Sequence, residues 1–66
     1  MEFALNGEAR SLEGPLSVRS LLERFGLAGR RVAVAINAQV VPASRFDEVQ
    51  VRAGDRVEVI QAVGGG

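Results

Sequence analysis

The stretch SVRSLLERFGL, Ser17–Leu27, departs from the strand-like spacing of the rest of the chain. Val18, Leu21, Leu22 and Phe25 recur at the spacing of a helical face, while Arg19, Ser20, Glu23 and Arg24 fall on the other side. Both ends carry local signals. Ser17 is placed to cap the first turn, Leu16 to staple onto Leu21, and Gly26 followed by Leu27 suits a left-handed helix end with an apolar contact behind it. An amphipathic helix must bury its stripe against another layer, and the flanking sequence reads as the sheet that provides it.

Upstream, MEFALN alternates Met1, Phe3 and Leu5 against Glu2, Ala4 and Asn6, the period of a half-buried strand. Asn6-Gly7 tolerates the positive φ of a tight hairpin turn, so EARSL is expected to return antiparallel. EGPLS then reads as turn material, with Gly14 and Pro15 ending the ladder. Downstream, RVAVAINAQVVP alternates Val32, Val34 and Ile36 against Ala33 and Ala35. It turns near Asn37-Ala38 into a short return segment, QVV, that Pro42 stops. ASRFDEVQVRAGD reads as mostly irregular, with Phe46 as an anchor beneath a surface loop and a turn at Gly54-Asp55. RVEVIQAV is a last strand, with Val57 and Val59 inward and Arg56, Glu58 and Ile60 on the opposite face.

The resulting order is hairpin, helix, hairpin, loop, strand. It predicts an α+β fold, a mixed sheet of four to five strands with one helix across one face. Residues 1–66 are expected to form a single domain, with a flexible tail over 62–66. A last strand lying beside the first would run parallel to it, and the tail would project from the sheet edge.

Composition narrows the function. With 66 residues, such a domain has little room for a pocket, and no Cys provides a disulfide or a thiolate metal site. An intracellular, cytoplasmic setting is the default reading, since no apolar run approaches a membrane span of roughly 20 residues and MEFALNGEAR lacks the pattern of a signal peptide. Eight Arg balance eight acidic residues in scattered positions, which argues against nucleic acid or membrane as a partner. Lys is absent, which suits a chain whose own carboxyl end becomes activated and equally suits a plain preference for Arg.

Catalytic groups are scarce. His, Cys, Lys and Tyr are missing, and the four Ser have no base partner in sight. Asp47 and Glu48 are adjacent in a polar loop, where solvated charge is the plainer reading than paired-acid chemistry. No regular spacing of oxygen ligands suggests a metal site, and no helix follows the glycines to make a phosphate loop.

Against this background the end of the chain, AVGGG, stands out. Gly64, Gly65 and Gly66 lack Cβ atoms and can thread a narrow channel in nearly any backbone conformation. A frayed terminus is the bland reading; delivery of the Gly66 carboxylate into another protein's active site is the functional one. Ile60 on the outer face, with Ala33, Ala35 and Ala62 as neighbours beside Arg56 and Glu58, forms either a docking patch at the base of the tail or ordinary surface.

AINAQVVPASRF and AGDRVEVIQAVGGG, with the hairpin, helix, hairpin order, resemble the sulfur carrier proteins of thiamine biosynthesis over essentially the whole chain. The resemblance implies a β-grasp, ubiquitin-like fold and a carrier that is not itself an enzyme. It implies that an E1-like adenylating enzyme activates Gly66 with ATP, with no cofactor bound by the carrier. Sulfur relayed from a cysteine desulfurase then makes a thiocarboxylate, and thiazole synthase accepts that sulfur. Gly65 and Gly66 match the functional tail of the family, and Gly64 extends it. Asn37-Ala38 departs from the Asn-Gly preferred at such a turn. Two other ubiquitin-like readings remain: the small-subunit sulfur carrier of molybdopterin synthase, and a protein modifier joined through Gly66 to a target Lys.

Overall fold

The structure is a computed structural model, and it describes residues 1–61. In chain order the strands and helix are β1 (Glu2–Leu5), β2 (Glu8–Ser11), β3 (Leu16–Ser17), α1 (Val18–Arg24), β4 (Val32–Ile36), β5 (Gln39–Val41), β6 (Gln50–Val51) and β7 (Arg56–Gln61), with a single 3-10 turn at Ala43–Arg45. Five strands form one sheet in the order β2-β1-β7-β4-β5. β1 and β7 run parallel, and the other neighbours are antiparallel. This is the expected α+β, β-grasp arrangement. The last strand is central, with β1 on one side and β4 on the other; the expected tail over 62–66 lies outside the described residues.

The helix ends form as the local sequence dictates. The Ser17 hydroxyl accepts from the Ser20 N–H at 3.0 Å, relieving one of the unpaired donors of the first turn. At the other end Gly26 takes φ +72°, and the N–H groups of Gly26 and Leu27 donate to the carbonyls of Glu23 and Leu22 at 3.2 and 2.7 Å. These paired bonds close the last turn, and the positive φ is what calls for glycine there.

Val18, Leu21 and Leu22 from α1 meet Phe3, Leu5, Val34, Val41, Val57 and Val59 from the sheet. Phe25, expected on the buried stripe, is only half-buried, and Arg10 from β2 lies over its ring with the guanidinium carbon 5.4 Å from the centroid. Phe46 is buried as expected and anchors the segment after the 3-10 turn.

Two segments differ from their sequence reading. Leu16–Ser17 is not turn but strand, and it pairs antiparallel with Gln50–Val51 from the stretch read as irregular. Both runs are too short to show a period of two, and only their meeting in space supplies the ladder. Val51 is fully buried as a result.

Candidate functional site

The site to be built lies where β7 runs out. Val57 and Val59 point into the core because a strand alternates, so Ile60 falls on the outer face and is 66% exposed. Pairing of β7 with β4 sets Ile60 directly beside Ala33, Glu58 beside Ala35, and Gln61 beside Val32. Of the expected patch, Ala33 and Ala35 are therefore brought into line with Ile60 along one face. Arg56 lies at the far end of the strand, beside Ala4 of β1. Ala62, Gly64, Gly65 and Gly66 lie outside the described residues.

The register adds Val40, which sequence reasoning missed. It sits beside Ala35 across the second hairpin and is 77% exposed. Had the turn at Asn37-Ala38 been assigned its two-residue form, pairing Val40 with Ala35 would have followed by counting. Arg30 and Arg31, just before β4, were also missed. They join Ala33, Ala43, Phe46 and Ile60 around a shallow depression of about 500 Å³. Neither arginine forms an ion pair among the described residues. The base of the tail thus combines small apolar side chains, one large exposed one and two positive charges.

Both hairpin turns reach this central strand. Asn6 and Asn37 each stand at φ +51°, followed by Gly7 at +82° and Ala38 at +70°. Ala38 occupies the left-handed position without the freedom of glycine, so the second turn keeps the tight two-residue form despite its departure from Asn-Gly. The Asn6 amide bonds the backbone of Val59, and Asn37 accepts from the Arg56 N–H at 2.9 Å.

Other candidate chemistry dissolves in the structure. Asp47 pairs with Arg19 and Glu48 with Arg45, all four side chains well exposed, so the two acids have separate partners. No cluster of three or more His, Cys, Asp or Glu suited to a metal occurs among the described residues. No helix among them is long and apolar enough to cross a membrane.

Comparison with known proteins gives a consistent picture. The sequence matches the ThiS family over residues 3–66. It is similar to the crystal structure of the thiamine biosynthesis protein ThiS from Geobacter metallireducens, with a TM-score of 0.86 and 33% identity, each chain covered in full. It is 37% identical to the sulfur carrier protein ThiS of Thermus thermophilus over 62 residues, 94% of this chain and 95% of that one. It is also 38% identical over 66 residues to a thiazole synthase of Paramagnetospirillum magneticum, covering all of this chain but only 20% of that enzyme. The chain therefore spans about a fifth of the length of the thiazole synthases it matches.

Proposed function

The chain belongs to the ThiS family, and from that premise we propose that it is a sulfur carrier for the thiazole ring of thiamine, a protein cosubstrate and not an enzyme. The observation that carries this reading is the family match over residues 3–66, a span that takes in Gly64, Gly65 and Gly66. In the sequence, Ala62 and Val63 separate those glycines from Gln61, the last residue of the central strand.

An unactivated carboxylate is a poor electrophile because its charge resists attack and oxide is a poor leaving group. An E1-like partner transfers AMP from ATP to a Gly66 carboxylate oxygen and releases pyrophosphate. A persulfide from a cysteine desulfurase system attacks the acyl carbon and AMP departs with that oxygen; a thiol then cleaves the resulting acyl disulfide by exchange, leaving the thiocarboxylate and a new disulfide. Thiazole synthase then takes the sulfur. The carrier supplies no acid or base, which agrees with its lack of His, Cys, Lys and Tyr. It supplies a tail that fits a narrow channel and, at Ile60, Ala33, Arg30 and Arg31, a surface that docks the partner.

The family resemblance between this chain and a portion of certain thiazole synthases supports a working contact with that class of enzyme. The test is the intact mass of the protein recovered from cells that make its partners. Replacement of one oxygen by sulfur at Gly66 is the expected result. Recovery only as conjugates of higher mass would establish a protein modifier instead.

A further inference from the structure

Conformation alone asks little of the residue at Asn6. At φ +51° in a tight turn, glycine would serve as well. The Asn6 side chain adds what glycine cannot: its Oδ1 accepts from the Val59 N–H at 2.9 Å and its Nδ2 donates to the Val59 carbonyl at 3.2 Å. A neighbouring strand would make the same two bonds. β1 makes none there, because its pairing with β7 covers only Ala4 with Arg56 and Leu5 with Val57 before the chain turns away. The Asn6 N–H still reaches the Val57 carbonyl at 2.8 Å, and the amide prolongs that flank by one further rung to Val59. On the opposite flank, pairing with β4 continues to Gln61. Asn6 thereby lets β7 be held from both sides almost to its end.

We propose that Asn6 is a positioning residue for the reacting tail, acting through Val59 to fix the direction in which β7 delivers it. The inference rests on the reading in which Gly66 reacts inside a partner enzyme. Without the amide, the end of β7 is held along the β4 flank alone and can pivot about it. A rotation at the end of β7 redirects the chain that follows it, which reaches at most about 3.3–3.6 Å per residue. Misplacement by about 1 Å can cost around a hundredfold in rate.

Asn37 provides the control. It has the same φ and also makes two side-chain bonds, accepting from the Arg56 N–H at 2.9 Å and donating to Asp55 Oδ1 at 3.1 Å, at the start of β7. Asn6→Gly and Asn37→Gly each keep a permissive turn and remove such a pair of bonds. Both are assayed by ATP–pyrophosphate exchange with the adenylating enzyme at varied carrier concentration, with thermal melts and amide hydrogen exchange alongside.

Both variants are expected to melt earlier than the wild type, but only Asn6→Gly loses kcat, by about 10- to 100-fold, with KM for the carrier within about twofold. Its Val59 amide should exchange faster with solvent. Wild-type kcat in Asn6→Gly, an equal loss in both variants, or a rise in KM alone would overturn the proposal. Should Asn6→Gly not fold, Asn6→Asp, which keeps the acceptor and loses the donor, is read by the same split. If neither folds, Asn6 is a folding residue and the proposal falls. A wild-type carrier that supports no exchange would instead remove the carrier reading on which this one stands.

Discussion

Leu16 and Val51 face each other as antiparallel partners, tying the segment that enters the helix to the segment that precedes the last strand. The same tie is strengthened by Val18, whose N–H donates to the Val49 carbonyl at 2.9 Å. Val51 is thereby fully buried beneath the start of α1. Val51→Ala removes two methyl groups from a close-packed site, and the transfer and cavity contributions together amount to about 2 kcal/mol. Val40→Ala, on the exposed face of β5, should stay within about 0.5 kcal/mol. Urea unfolding of the two variants measures the difference, and equal midpoints would place Val51 outside the core.

Ala38 should be improvable. Its φ of +70° is a left-handed conformation that costs an L-residue about 1–2 kcal/mol. Glycine removes that strain but gives back about 0.4–1 kcal/mol through a freer unfolded chain. Ala38→Gly should therefore stabilise by about 0.5–1 kcal/mol, raising the melting temperature by about 2–8 °C. A lower melting temperature would show that the methyl group makes a packing contribution larger than the strain.

Ile60→Asp tests the docking face. The side chain is 66% exposed, so the isolated fold should keep its stability to within about 0.5 kcal/mol. A charge that must be stripped of water at an apolar contact opposes association, and kcat/KM for adenylation should fall by about tenfold or more. Unchanged adenylation at subsaturating carrier would remove Ile60 from the docking surface.

The Gly66 carboxylate is tested by lengthening a chain made to end there. One added Ala moves the reacting carbon by about 3.8 Å and introduces a methyl group where a narrow channel has no room. Adenylate formation should nearly vanish, since about 1 Å of misplacement already costs around a hundredfold, while the melting temperature stays the same. Pyrophosphate exchange at the wild-type rate would mean that this carboxylate is not the reacting group.

Helix α1, its Ser17 cap and its Gly26 end follow from neighbouring residues, because capping and periodicity act within a few positions of the chain. The same holds for the first hairpin at Asn6-Gly7 and for the inward Val57 and Val59, whose direction alternation alone decides. The glycines at 64–66 are a reading of the sequence alone and lie outside the described residues.

Other features depend on which segments meet. Strand β7 becomes central only because β1 and β4 both pair with it. Leu16–Ser17 and Gln50–Val51 become strands only because each is the other's partner. Val40, Arg30 and Arg31 join Ile60 at the candidate surface through register and chain reversal, which no local pattern encodes. Asn6 carried a turn signal in the sequence, but its grip on Val59 required the strand to arrive beside it. Backbone hydrogen bonds are indifferent to sequence distance, so what they join is decided when the helix stripe and the sheet faces are buried together.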